Sequence, residues 1–199
     1  QVSDIANKIG AVNTVYFANG KLAATNTDGY GFLQSLFQQA KLKNLQDKNI
    51  LIIGAGGAAR AIAAAIAQQG AKSLIIANRT QDKAVALNEQ LQLAAEIIDF
   101  AELDNKLNNV DILINTTSLG MEGQAELDIN LVNLPKSAIV ADIIYKPRFT
   151  KLLQQAKQRG NIIVEGIDML IYQAVPGFEL WFGKKPQIST EERELLLGK

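Results

Sequence analysis

The chain of 199 residues contains neither cysteine nor histidine. Without cysteine there is no disulfide framework, no iron–sulfur cluster, no thiolate zinc site and no sulfur nucleophile. Without histidine, a Ser-His-Asp triad and an imidazole metal site are excluded as well. No metal is expected, and proton transfer falls to Asp, Glu, Lys, Tyr, Ser, Thr or water. Charge of one sign is also lacking, because twenty basic side chains face twenty acidic ones. That balance leaves no electrostatic footprint for nucleic acid. Long apolar runs are missing too: the longest, around residues 61–67, falls far short of the roughly 20 residues a membrane helix needs. No membrane partner is expected. The N-terminus has no basic stretch leading into an apolar one, so it does not read as a signal peptide. Together with the missing cysteine this fits a cytoplasmic protein.

The middle of the chain alternates short apolar runs with longer amphipathic stretches, the rhythm of βαβ units. Strands are expected at 49–53, 73–77, 96–98, 112–115, 139–142 and 162–164. Helices are expected at 57–69, 81–91, 103–107 (weakly) and 151–159. The fold class is therefore α/β, a Rossmann-type doubly wound, mainly parallel sheet with helices on both faces. Two flanks depart from this rhythm. Residues 12–17 and 21–25 are β-rich and joined through Ala18-Asn19-Gly20, and an Asn-Gly pair tolerates the positive φ of a tight hairpin. A helix follows at 29–40, capped by Thr27 or Asp28. After Gly166 come a helical stretch at 169–181 and a charged helix from Thr190.

The strongest chemical signal is the apolar run 50–53 followed by Gly54-Ala55-Gly56-Gly57-Ala58-Ala59. It matches G-x-G-x-x-G/A between a strand and a helix. Gly54 permits the tight turn, Gly56 lets backbone approach a diphosphate, and Ala59 allows helix and sheet to pack closely. The helix N-terminus offers free N–H groups and the positive end of its dipole to phosphates. At the end of the next strand, NAD-binding enzymes place a carboxylate for the ribose 2′-hydroxyl. Here that stretch reads Asn78-Arg79-Thr80, with Lys83 beyond it and no carboxylate before Asp82. A guanidinium grips a 2′-phosphate in a two-pronged contact. Lys83 adds a point charge, and Asn78 and Thr80 add neutral hydrogen bonds. The expected cofactor is NADP rather than NAD.

At this point the chain resembles the shikimate dehydrogenase family. The resemblance is carried, in order, by Gly10-Ala-Val-Asn-Thr14, Asn26-Thr-Asp-Gly29, the Gly54–Ala59 turn, Asn78-Arg-Thr80, Asn115-Thr-Thr-Ser118 with Gly120-Met121, Asp142-Ile-Ile-Tyr145-Lys-Pro147, and Gly166-Ile-Asp-Met-Leu170 with Gln173. It implies NADPH-dependent reduction of 3-dehydroshikimate to shikimate, in aromatic amino-acid biosynthesis. It implies that Asp28 is the catalytic member of a Lys–Asp pair, and that Asn13, Asp28, Tyr145 and Gln173 bind substrate. It places Ser118, Ile143 and Gly166 beside the cofactor. Taken alone, Asn13 would be read as tying down its own hairpin and Asp28 as a helix N-cap. Met169, Leu170, Phe178 and Trp181 are read as packing residues.

By the same resemblance, residues 1–27 are a hairpin remnant of a substrate domain, 28–166 the NADP-binding domain, and 167–199 a helical segment returning to the substrate domain. The family's lysine lies upstream of the Ala-Val-Asn-Thr stretch, and Lys8 stands in the wrong context to replace it. The chain, which does not open with Met, is thus expected to lack the first part of the substrate domain and to turn over little. A related quinate/shikimate dehydrogenase or a non-catalytic NADP-binding module remain alternatives. Glutamyl-tRNA reductase would need a cysteine nucleophile. Self-association through a surface left uncovered is the one oligomeric expectation, giving a homo-oligomer.

Overall fold

The computed structural model describes residues 1–197, so the last two residues of the expected 167–199 segment lie outside the described residues. The chain opens with a helix that periodicity did not announce, α1 (Asp4–Ile9). Its cap signals were nevertheless present. Ser3 accepts a hydrogen bond from the Ala6 N–H, and Gly10 ends the helix at φ 70°. A hairpin follows, β1 (Thr14–Ala18) and β2 (Lys21–Thr25), with Ala18 opposite Lys21. Both turn residues are left-handed, Asn19 at φ 50° and Gly20 at φ 74°, which is the geometry a two-residue hairpin turn requires. Helix α2 (Asp28–Ala40) leads into the large sheet.

That sheet contains β3 (Asn49–Ile53), β4 (Ser73–Ala77), β5 (Glu96–Ile98), β6 (Ile112–Asn115), β7 (Ile139–Asp142) and β8 (Ile162–Val164). Its spatial order is β5-β4-β3-β6-β7-β8, and every pairing is parallel. The chain winds outward from β3 to β5 and then returns to the other side of β3. The reversal lies between β3 and β6, where open α/β sheets of this kind bind ligands. The connecting helices are α3 (Gly57–Gln68), α4 (Gln81–Leu91), α5 (Leu103–Lys106) and α6 (Lys151–Arg159); α5 is flanked by single 3₁₀ turns at 100–102 and 107–109. Helices α7 (Gly166–Phe182) and α8 (Thr190–Leu196) close the described chain.

The apolar strand runs are continuous because both sheet faces are covered. Ile50 and Ile52 point to one face, with Phe32, Leu36 and the Ala-rich stripe of α3. Leu51 and Ile53 point to the other, with Leu103, Leu152 and Leu153. Helix α7 begins at Gly166, three residues before the expected 169. Its C-terminal half runs beyond the sheet onto the hairpin, where the Trp181 indole donates to the Val15 carbonyl at 2.8 Å. The expectation that Leu170, Phe178 and Trp181 are packing residues is therefore corrected: all three are exposed, Trp181 at 57%, while Met169 is buried. No described helix is long and apolar enough to cross a membrane.

Candidate active site

At the carboxyl end of β3, the Gly54 N–H donates to the Ala77 carbonyl at 2.8 Å, which sets the glycine turn beside the end of β4. Gly54 is held at φ 111°. A Cβ there would lie 2.6 Å from Thr116 Oγ1 and 3.0 Å from Thr117 Cγ2, so the loop after β6 presses directly on the turn. Gly56 differs. Its φ of −84° suits any residue, and nothing lies within 4 Å of where its Cβ would sit; the same open space surrounds Gly57. Both are exposed, while Ala55 is buried and Ala58 half-buried. The first turn of α3 carries no acidic residue, and no side chain caps it. The corner is open and lined by helix N–H groups, and it fits a diphosphate.

The Asn78-Arg79-Thr80 stretch follows β4 immediately. Asn78 folds back to donate to the Thr80 carbonyl at 2.7 Å. Arg79 and Lys83 are exposed, and neither side chain takes a hydrogen bond or ion pair among the described residues. Two cationic groups without acidic partners thus stand at the edge of the corner.

On the other side of the reversal lies a cleft of about 490 Å³ lined by Thr116, Thr117, Ser118, Ile143, Ile144 and Tyr145, among others. Ser118 is exposed, and Tyr145 is 52% exposed. A larger hollow of about 660 Å³ lies among α5, α6 and residues 128–132. None of the residues singled out in the sequence lines it, and it sits away from the strand ends that carry the motifs.

The third cluster joins residues far apart in sequence. The Asn13 amide donates to Asp28 Oδ1 at 2.8 Å and to Gln173 Oε1 at 3.3 Å. Its carbonyl oxygen accepts the Thr27 N–H at 3.0 Å and the Thr14 hydroxyl at 2.9 Å. Asn13 therefore ties its hairpin and orients Asp28 at once. Of the two residues expected to cap α2, Thr27 takes the cap position and Asp28 does not. Thr27 is the N-cap of α2 but its side chain makes no capping bond, and Asn26 Oδ1 accepts the Asp28 N–H at 2.9 Å instead. Asp28, the first helical residue, keeps its carboxylate free of helix duty. Two close backbone approaches set this geometry. A Cβ on Gly31 would lie 2.6 Å from Gln173 Cβ, so α2 and α7 cross almost in contact. A Cβ on Gly166 would collide with the Ile143 carbonyl, so α7 starts against the loop after β7. Asn13, Asp28 and Gln173 are thus brought together, while Tyr145 stands with Ser118 and Ile143 at the cleft.

One buried cluster escaped the sequence reading. Asp142, at the end of β7, is 2% exposed. Its Oδ1 accepts from the Asn115 amide at 3.1 Å and the Ile144 N–H at 3.0 Å, and its Oδ2 from the Thr150 hydroxyl at 2.7 Å. Burial pushes its pKa up to about 6, against the pull of these three donors.

The Shikimate / quinate 5-dehydrogenase family model matches residues 36–143. The Shikimate 5′-dehydrogenase C-terminal domain model matches 166–195. A shikimate dehydrogenase (NADP(+)) of Dinoroseobacter shibae is 45% identical over 199 residues, covering 100% of this chain and 72% of that protein. The crystal structure of shikimate dehydrogenase from Aquifex aeolicus superposes with TM-score 0.85 at 37% identity, over 100% of this chain and 70% of that one. The Thermus thermophilus enzyme, solved with NADP(H) and shikimate, superposes with TM-score 0.80 at 33% identity, over 94% and 67%.

Proposed function

This chain belongs to the shikimate/quinate dehydrogenase family, and from that premise we propose that it binds NADPH and is built for the interconversion of 3-dehydroshikimate and shikimate. The observation that carries the reading is the open glycine corner at the sheet reversal, with Arg79 and Lys83 unpaired beside it. In this reading Gly54 to Ala58 receive the diphosphate, and Arg79 with Lys83, Asn78 and Thr80 receives the 2′-phosphate. Ser118, Ile143 and Gly166 border the nicotinamide end. Residues 28–166 form the dinucleotide domain, and 1–27 with the segment from 167 belong to the substrate domain. When bound, the reduced cofactor supplies a hydride.

The protein's part is orientation and proton handling. Asp28 serves the proton at the substrate oxygen, and Asn13 fixes the direction of its carboxylate through the 2.8 Å bond. Gln173 and Tyr145 offer an amide and a phenol to ring hydroxyls or a carboxylate. In the family this aspartate pairs with a lysine. Lys8, the one lysine before Asn13, is exposed in the last turn of α1.

Fluorescence titration with NADPH and NADH tests the cofactor half. NADPH is expected to bind more tightly, and Arg79→Ala to weaken NADPH by about 10- to 100-fold, the loss of a charge-assisted contact worth ~1.5–3 kcal/mol. NADH affinity should stay unchanged. Equal wild-type affinity for the two nucleotides overturns the 2′-phosphate assignment.

A further inference from the structure

Two loops leave the sheet on the β6–β7 side, and both line the cleft. The first, 116–121, carries Ser118. The second, 143–150, carries Ile143 and Tyr145. They are joined through buried polar groups. Asn115 and Asp142 end neighbouring strands at the same register position. The Asn115 amide donates both to Asp142 and to the Leu119 carbonyl, the latter at 3.2 Å. The Asn115 carbonyl accepts the Thr117 N–H at 3.0 Å and the Thr117 hydroxyl at 2.7 Å. On the far side, Asp142 holds the Ile144 N–H and the hydroxyl of Thr150, the N-cap of α6.

We infer that Asp142 is a positioning residue, one that clamps the loop after β6 to the loop after β7 and so sets the cleft in which Ser118 and Ile143 meet the nicotinamide half of the cofactor. This rests on the dinucleotide reading above. A carboxylate suits the task because it accepts several hydrogen bonds at once and offers no donor of its own. Burial outweighs the three donors and holds the pKa up to about 6, with no charged group contributing. The nearby cations are engaged elsewhere: Lys146 with Glu122, Arg148 with Glu165, and Lys151 with Asp128. Glu165, just beyond β8, is held by Arg148, and Tyr145 is exposed. A buried carboxylate whose hydrogen bonds tie together two loops of a binding cleft points to a positioning role.

The test uses two nucleotides. NADPH spans the corner and the cleft, whereas 2′,5′-ADP carries only the adenosine end and stops at the corner. Asp142→Ala should weaken NADPH at least tenfold and leave 2′,5′-ADP within about twofold. Asp142→Asn keeps the oxygen that receives Asn115 and Ile144 and turns its amide to the rotatable Thr150 hydroxyl. It should restore NADPH to within about threefold of wild type. If Asp142→Ala does not fold, Thr150→Val (hydroxyl removed, shape kept) against Thr150→Ser carries the same comparison, with Val alone weakening NADPH. Unchanged NADPH affinity in the Ala or Val variant, equal weakening of both nucleotides, or no recovery in Asp142→Asn overturns the inference. A wild-type chain that binds neither nucleotide overturns the dinucleotide reading, and this inference with it.

Discussion

Gly54 and Gly56 belong to one motif, but the structure gives them separable jobs. At Gly54 the fold itself needs glycine. The backbone sits at φ 111°, and a methyl would meet Thr116 Oγ1 at 2.6 Å. That hydroxyl donates to the buried Ile53 carbonyl at 2.7 Å. In Gly54→Ala, backbone strain of ~1–3 kcal/mol adds to a disturbed buried hydrogen bond of ~1–3 kcal/mol. A loss of about 4 kcal/mol is a large part of the 5–15 kcal/mol that holds a typical domain together, and corresponds to roughly 10 °C in Tm. At Gly56 the fold asks for nothing: φ is −84° and the space around it is empty. Gly56→Ala should shift stability by less than about 1 kcal/mol, the small difference between glycine and alanine at an N-cap. Its methyl would stand in the open corner proposed for the diphosphate, and NADPH should bind at least about tenfold more weakly, ~1.4 kcal/mol. Thermal melts with and without nucleotide, alongside fluorescence titration, separate the two effects. A Gly56→Ala chain that binds NADPH as tightly as wild type would show that no diphosphate approaches that backbone.

Other expectations concern the rest of the site and its supports. Asn26→Ala should cost about 1 kcal/mol in urea melts, through loss of the bond its side chain accepts from the Asp28 N–H at the start of α2. Asp28→Asn should cost less than about 1 kcal/mol, its contribution to the helix dipole; the reverse order would make Asp28 the cap. Asp142 is held above its unfolded pKa, so the native state takes up the extra proton and stability from this group falls as pH rises from about 4 to 6. The ionised form is less stable by roughly 3 kcal/mol for a shift of about two pH units. Asp142→Asn should therefore gain stability over wild type between pH 4 and 7, and parallel pH–stability curves would contradict the assignment. Arg193 pairs with Asp168 at 2.5 Å, and the Asp168 side chain is only 9% exposed. Arg193→Ala should cost about 2 kcal/mol by stranding that carboxylate, and Lys should recover only part because the contact is two-pronged. A thermal melt unchanged in Arg193→Ala would mean that α8 does not brace the start of α7.

The strands were legible because each is a short run, apolar but for at most one polar residue at an end, and a parallel sheet covered on both faces leaves no other place for such runs. The glycine turn was legible because its spacing is local: turn, approach and helix start fall within six residues. The start of α7 was not, because Gly166 reads as a helix breaker until the Ile143 carbonyl is seen against it. Gly31 was equally silent. Inside a helix, glycine costs up to about 1 kcal/mol relative to alanine, and only the crossing with Gln173 explains its presence. Helix α1 is too short for periodicity to register, although Ser3 and Gly10 bracket it.

The same distinction between local and distant causes runs through the site. Asn13 and Gln173 are 160 residues apart, and nothing near either predicts the bond between them. Here the family resemblance supplied what spacing could not. Asp142 stands between these cases, for it had a local sign that went unread. Strands β6 and β7 read Ile-Leu-Ile-Asn and Ile-Val-Ala-Asp, each apolar until a last polar residue. Two neighbouring strands that end at the same register position in an amide and a carboxylate place a donor beside an acceptor at the carboxyl edge of the sheet. Since polar groups buried at that level must find partners, such paired endings predict a link between the loops that follow. The link lies beside the β3–β6 reversal, the place where a cofactor would gain most from having its loops fixed in advance.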